Sequence, residues 1–98
     1  MPAYLIAHVR IHDVEAYKDY AGRTPAVITA FGGRVLARGP AAEVLEGRDG
    51  SVRVVIVEFA SVEAAQRFYR SPEYQAIRKI RAPVAEAEVL IVEGLPLE

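Results

Sequence analysis

Residues 52–59 have the sequence VRVVIVEF, which is the strongest strand signal in the chain. Most of these residues are β-branched or aromatic, and such side chains favour strands. Both alternating faces of the stretch are mainly apolar, so both need cover from other parts of a protein. We therefore expect residues 52–59 to form a strand in the centre of a sheet.

Weaker strand signals lie on either side of this stretch. Residues 4–11 alternate between two faces, as a half-buried strand does. Further strands are predicted over residues 34–38 and 87–93. Residues 42–46 suggest a short extra strand or one arm of a hairpin, and Asp49-Gly50 after it is a turn signal.

Two helical segments alternate with the strands. The first begins after Asp13, a favourable N-cap, and ends at Gly32-Gly33. Pro25 lies inside this segment, where a proline should kink the helix or divide it in two. The second begins after Ser61 and restarts at Ser71-Pro72, because serine at the cap and proline at the first helical position favour a helix start.

The order β-α-β-β-α-β predicts an α+β protein with a ferredoxin-like sandwich. We expect one domain over residues 1–98: a four-stranded, mainly antiparallel sheet with strands one and three in its centre and helices on one face. The other face would be an exposed apolar surface, which monomers avoid. We therefore expect a homodimer that packs sheet to sheet into an α/β barrel. The alternative is that segment 39–50 folds over its own sheet, and the sequence leaves open whether dimers pair further.

Composition argues against several classes of protein. The chain has 98 residues, a formal net charge of −1 and no cysteine. Without a basic excess we expect no nucleic-acid partner, and without cysteine neither disulfides nor thiolate chemistry. No apolar run is long enough to span a membrane, and the first residues lack the features of a signal peptide. We expect a cytoplasmic protein.

Histidine provides the first candidate for chemistry. His8 lies in the middle of the first strand and is a candidate general base near neutral pH. The structural alternative is a hydrogen-bonded histidine in the dimer interface. His8 and His12 lie four residues apart, roughly 13 Å on a strand, which is too far for one ion to bridge. We therefore expect no metal site from this pair.

Charged residues on strands two and three form a second candidate group. Arg34 and Arg38 are predicted to share one face of strand two, where two guanidinium groups would bind a carboxylate or an enolate. Glu58 interrupts an apolar strand and is a candidate catalytic residue that would pair with one of these arginines or with His8. The alternative is an ion pair that organises the sheet edge and the dimer.

Aromatic residues on the helices form a third group. Tyr17, Tyr20 and Tyr74 occupy helix positions that face the sheet, where their hydroxyls would bind a ligand. Arg78 lies one turn after Tyr74 and would bring a positive charge to the same end of the pocket. The alternative is that the tyrosines are ordinary core residues whose hydroxyls reach the rim.

Several stretches, spread over nearly the full length, carry a family resemblance: DVEAYKDY at 13–20, GGRVLARG at 32–39, EVLEG at 43–47, EFAS at 58–61, FYRSPEYQ at 68–75 and VEG at 92–94. Together they make the chain similar to the bacterial family DUF1330, a domain of unknown function in the dimeric α/β-barrel superfamily. The resemblance implies a ferredoxin-like protomer and a barrel formed by two sheets. It implies no reaction, since the superfamily includes cofactor-free monooxygenases, isomerases, haem enzymes and stress-response proteins.

These observations lead to two functional hypotheses. The first is a small dimeric enzyme without a tightly bound cofactor, acting by proton transfer or monooxygenation on a small aromatic or keto-acid compound. In it, His8 is the base, Arg34 and Arg38 bind the anion, and the tyrosines line a pocket between sheet and helices. The second is a non-catalytic small-molecule-binding or stress-related dimer whose polar residues are structural.

Overall fold

The computed structural model describes residues 1–39, 42–47 and 52–96. Within them the chain forms four strands and three helices, which follow the order β-α-β-β-α-α-β. The elements are β1 (Ala3–Ile11), α1 (Val14–Ala30), β2 (Arg34–Gly39), β3 (Arg53–Phe59), α2 (Val62–Arg70), α3 (Pro72–Arg81) and β4 (Ala85–Glu93).

The sheet is antiparallel throughout and has the strand order β2-β3-β1-β4. The prediction that the first and third strands are central is confirmed. Leu5 of β1 pairs with Val57 on one side and with Ile91 on the other. These residues belong to the core beneath the helices, so the odd-numbered residues of β1, β3 and β4 form the helix-covered face.

An irregularity in β2 changes which residues face the helices. Arg34 pairs with Glu58 and Val35 with Val57, but Ala37 then pairs with Ile56. One extra residue is therefore inserted between Val35 and Ala37, as in a β-bulge. Because directly paired residues share a face, the insertion reverses the alternation of every later side chain in the strand.

Helix α1 runs without interruption through Pro25. Of the two outcomes expected at Pro25, a kink or a division of the helix, the division does not occur. The Asp13 side chain accepts a hydrogen bond from the Ala16 backbone N–H at 3.1 Å, as an N-cap does. At the other end Gly32 has a φ of +80°, a left-handed conformation that favours glycine and ends the helix as predicted.

A single serine separates α2 from α3. The Ser71 hydroxyl donates to the Phe68 carbonyl at 2.7 Å and accepts from the Tyr74 backbone N–H at 3.1 Å. Ser71 thereby ends one helix and caps the next, and Pro72 takes the first position of α3. The predicted restart at Ser71-Pro72 is confirmed.

The segment between β2 and β3 differs from its prediction. Residues 42–47 are irregular, so the expected short strand over residues 42–46 is wrong. Leu45 in this segment is 84% exposed. The predicted Asp49-Gly50 turn lies outside the described residues.

The other face of the sheet carries no helix of the described chain. It presents apolar side chains near its centre, among them the paired residues Ile6 and Ile56 and, on β4, Leu90. Leu90 and Val92 are both more than 40% exposed. We call this surface the open face.

None of the three helices in the described part of the chain has the length and apolar character that a bilayer-spanning segment needs.

Candidate ligand pocket

A cavity of about 70 Å³ lies between helices α1 and α3 and the covered face of the sheet. Its walls are largely apolar and come from odd-numbered strand residues and from the helix residues Ala21, Pro25, Ile28 and Phe68. Its polar groups come from both helices and from strands β2 and β3: Tyr17, Tyr20, Thr24, Arg38, Arg53, Tyr74 and Arg81. An apolar cavity with a few convergent polar groups is the usual form of a small-molecule site.

Two tyrosine hydroxyls meet in this cavity. The Oη atoms of Tyr20 and Tyr74 are 2.8 Å apart and buried, so one hydroxyl donates a hydrogen bond to the other. A hydroxyl carries one hydrogen, so the accepting hydroxyl still has its own hydrogen to donate. The rings meet edge to face with centroids 6.3 Å apart, which fixes their mutual orientation. The pair therefore offers one O–H donor to a ligand oxygen.

Burial favours the neutral form of the phenols of Tyr17 and Tyr20. It raises the pKa of Tyr20 well above its ordinary value, and the neighbouring Tyr74 raises it further. Burial also raises the pKa of Tyr17, although the guanidinium groups of Arg53 and Arg81 oppose that change. At neutral pH these phenols are therefore hydrogen-bond donors rather than bases.

Two arginines stack on the tyrosines. The rings of Tyr17 and Tyr20 are stacked with centroids 5.4 Å apart. Arg53 Cζ lies 5.7 Å from the Tyr17 centroid, and Arg81 Cζ lies 5.6 Å from that of Tyr20. Each such cation–π contact stabilises by roughly 0.5 to 2 kcal/mol.

These contacts do not account for the burial of the Arg81 charge and of one Arg53 nitrogen. Arg81 is only 6% exposed, and Arg53 Nε is buried without a hydrogen-bond partner among the described residues. A buried charge left without its partner costs roughly 3 to 5 kcal/mol, which is more than one ring contact supplies. No carboxylate of the described residues lines the cavity. The arrangement therefore carries an excess of positive charge.

Arg34 and Arg38 are not together in this site. The bulge in β2 pairs Arg34 with Glu58 on the open face and Arg38 with Val55 on the covered face. The expectation that they share a face is therefore wrong. Arg34 Nη2 donates to Glu58 Oε1 at 3.0 Å. Of the partners expected for Glu58, it is therefore Arg34 that binds it. Arg38 lines the cavity but is largely exposed, which places it at the mouth.

His8 lies on the open face, across the sheet from the tyrosines. It pairs with Val54, whereas Glu58 pairs with Tyr4, four residues along the strand. The structure therefore brings His8 together neither with Glu58 nor with the cavity. Its Nδ1 is buried and has no hydrogen-bond partner within the described part of the chain. Catalytic roles for His8 and Glu58 remain predictions.

Helix α3 brings an arginine other than the predicted one to the pocket. Arg78 Nε donates to Gln75 Oε1 at 2.9 Å, and Arg78 does not line the cavity. Arg81, on the same helix, lines the cavity instead. A sequence signal for it exists, since Arg81 follows Tyr74 by seven residues, or two helical turns. For Arg53 the sequence signal is its position two residues before Val55, which puts both on one strand face, and both line the cavity.

The described residues contain no group of three or more acidic, histidine or cysteine side chains that would hold a metal ion. His12 Nε2 instead lies 3.7 Å from Glu86 Oε1 at the exposed end of the sheet.

Comparisons with known proteins agree with this architecture. Residues 2–95 match the model of a family described as Domain of unknown function (DUF1330). No curated protein is similar enough in sequence to match the chain.

Three solved structures illustrate the structural similarity. A protein of unknown function from Rhodopseudomonas palustris is 24% identical, with a TM-score of 0.76, over 98% of this chain and 84% of that one. A dimeric ferredoxin-like protein of unknown function from Jannaschia sp. CCS1 is 10% identical, with a TM-score of 0.79, over 96% and 100%. SnoaB, a cofactor-independent oxygenase from Streptomyces nogalater, is 12% identical, with a TM-score of 0.71, over 98% and 95%. At these identities the similarity shows a shared fold.

Proposed function

Because the chain belongs to the DUF1330 family, whose description names no activity, we propose its function from the pocket itself. The protein is a small dimeric enzyme that binds a small aromatic or keto-acid compound between the helices and the sheet. It promotes proton transfer at a carbon next to a carbonyl group, without a tightly bound cofactor.

The hydrogen-bonded pair of Tyr20 and Tyr74 carries this proposal. A ligand carbonyl in the cavity would accept the free O–H of the pair. Removing a proton from the adjacent carbon places negative charge on that oxygen, and a fixed donor stabilises the charge. The positive charges of the nearby Arg53 and Arg81 guanidinium groups also stabilise negative charge on that oxygen. The site therefore favours an enolate over its parent ketone.

The lining residues of the described chain include neither a histidine nor a carboxylate to remove the proton. Water or a buffer base therefore removes the proton, and the protein stabilises the resulting enolate. An enolate is also the electron-rich form of a substrate that reacts with molecular oxygen. SnoaB is described as a cofactor-independent oxygenase, which supports testing oxygen uptake as a second activity.

The open face supports a sheet-to-sheet dimer. Ile6, Ile56 and Leu90 form an apolar centre without cover from the described helices. Burying such a surface against a second copy removes it from water. Structural neighbours from Jannaschia and from Bacteroides fragilis are described as dimeric, which supports a dimer here.

The activity is tested by deuterium exchange at the methyl group of pyruvate and the methylene group of phenylpyruvate, followed by proton NMR in deuterated buffer. We expect the wild-type protein to accelerate exchange of at least one of them. Tyr74→Phe removes one hydroxyl of the pair and should reduce the enzymatic rate by about 100-fold. Tyr69→Phe is the matched control, because Tyr69 lies on the neighbouring helix and outside the cavity lining.

Two results would contradict the proposal. Exchange no faster than in buffer, with ligand still bound, would favour the alternative of a non-catalytic small-molecule-binding dimer. An equal loss of rate in Tyr69→Phe would show that the effect does not come from the hydroxyl pair. Oxygen consumption recorded with the same substrates separates oxygenation from simple enolisation.

A further inference from the structure

The cavity contains more positive charge than the described residues that line it compensate. Arg81 is buried in the cavity wall, and the buried Nε of Arg53 has no hydrogen-bond partner among the described residues. Their tyrosine contacts involve ring faces, and the cavity lining of the described chain supplies neither guanidinium with a carboxylate. Arg38 adds a third guanidinium at the mouth. Buried charges are normally paired, so this arrangement points to a partner that the described residues do not supply.

The remaining walls define what kind of partner fits. A guanidinium group binds a carboxylate through two parallel hydrogen bonds, and the Tyr20–Tyr74 pair offers a further donor for an oxygen nearby. The other walls are apolar and mainly aliphatic, including Leu5, Ile28 and Val57. Aliphatic walls suit the carbon body of an organic acid better than an inorganic anion, which needs donors on every side.

Cavity size narrows the choice further. A dry cavity of about 150 Å³ holds benzene, and this one has about half of that volume. It therefore suits an acid of a few carbon atoms better than an aromatic acid. We infer that the cavity is a binding site for a short-chain carboxylate of the 2-oxo acid type, held by Arg53 and Arg81. This inference rests on the proposed function and names its substrate class.

The test compares pyruvate with pyruvamide, a neutral molecule of nearly the same shape. Binding to the full-length protein is followed by isothermal titration and by the change in melting temperature. We expect pyruvate to bind and to raise the melting temperature, and pyruvamide to do neither. Phenylpyruvate should bind more weakly than pyruvate, and sodium sulfate should not displace pyruvate at equal concentration.

Charge-removing variants assign the site. Arg81→Gln and Arg53→Gln should each weaken pyruvate binding by about tenfold or more, since each removes a charged hydrogen-bond donor. Arg70→Gln is the matched control, because Arg70 is an exposed arginine on α2 and does not line the cavity. If Arg81→Gln does not fold, Arg53→Gln alone tests the assignment, because Arg53 is only partly buried.

The outcomes separate this inference from the proposed function. Equal binding of pyruvate and pyruvamide, binding unaffected by Arg53→Gln, or displacement by sulfate would each overturn the carboxylate site. None of these results would affect the enolisation test. Conversely, pyruvate binding that depends on charge, with no deuterium exchange, would support the carboxylate site and contradict the enzyme.

Discussion

The hydroxyl oxygens of Tyr20 and Tyr74 lie 2.8 Å apart, although the residues are 54 positions apart in the chain and belong to different helices. Helix α1 supplies one and helix α3 the other, so the contact ties the two helices together above the sheet. Because Ser71 fixes where α3 begins, it also fixes the turn from which Tyr74 extends. The same contact stabilises the fold and supplies the free donor of the pocket.

The raised pKa of Tyr20 predicts a loss of stability in alkali. Tyr20 is neutral in the folded protein but ionises above its ordinary pKa near 10 once the chain unfolds. Its stabilising contribution is therefore complete below about pH 10 and is lost as the pH rises further, by about 1.4 kcal/mol per pH unit for one such group. Urea unfolding at about pH 9 and about pH 11, roughly one unit either side of the ordinary pKa, measures the loss.

The matched variant is Tyr20→Phe, which should be less stable than wild type at neutral pH but lose stability less steeply in alkali. Part of the fall in unfolding free energy with pH should persist in this variant, since burial also raises the pKa of Tyr17. If Tyr20→Phe loses as much unfolding free energy in alkali as the wild type, another group causes the alkaline loss of stability.

The two arginines of β2 should behave differently when replaced. Arg34→Gln breaks an ion pair whose arginine is 73% exposed, so we expect a loss of stability below about 1 kcal/mol and unchanged pyruvate binding. Arg38→Gln should leave stability nearly unchanged and weaken pyruvate binding, because Arg38 lies at the mouth of the cavity. Thermal unfolding and titration distinguish the two effects. Weaker binding in Arg34→Gln would contradict the reversed alternation after the bulge.

The open face should determine the oligomeric state. Ile56→Lys places a charge next to Ile6 in the proposed interface and should convert the dimer into a soluble monomer with unchanged secondary structure. Leu45→Lys is the control, because Leu45 is 84% exposed and lies outside the sheet. Native mass spectrometry gives the subunit count. A monomeric wild-type protein, or a dimeric Ile56→Lys variant, would refute the sheet-to-sheet dimer.

Two glycine-to-alanine substitutions should change stability in opposite directions. A Cβ at Gly33 would lie 2.7 Å from Phe59 Cε1 and 2.8 Å from Ile28 Cγ2. Both neighbours are core residues, so we expect Gly33→Ala to destabilise by roughly 1 to 3 kcal/mol. A Cβ added at Gly22, on α1, would have no described atom within 4 Å, so Gly22→Ala should stabilise by about 0.4 to 1 kcal/mol. Urea unfolding of both variants checks the pair, and a neutral Gly33→Ala would contradict the close packing.

Much of the fold follows from local patterns. Alternation in residues 4–11 and 52–59 places the central strands, and Ser71-Pro72 marks the restart of a helix. The family match over residues 2–95 agrees with the resemblance carried by the short sequence stretches. Tyr17, Tyr20 and Tyr74 are buried toward the sheet, as their helical spacing indicates.

The pocket is harder to predict because it depends on long-range register. Arg34 and Arg38 have the spacing of residues that share a strand face, and only the pairing with β3 reveals the extra residue between them. Alternation alone does not say which face of β1 the helices cover, so the sequence does not separate His8 from the pocket. Arg81 is hard to recognise because an arginine on a helix is usually exposed, and its burial depends on the packing of α3 against α1.

The bulge in β2 also has a consequence for how relatives of this protein could diverge. Deleting the inserted position Leu36 would restore regular pairing, with Ala37 still opposite Ile56 and Arg38 still opposite Val55 on the covered face. The cation at the mouth would therefore keep its place, because the bulge holds one extra residue without moving the pairs beyond it. Relatives can therefore lose or gain one codon at this position while the cavity-facing side of β2, the helices and the other three strands stay as they are.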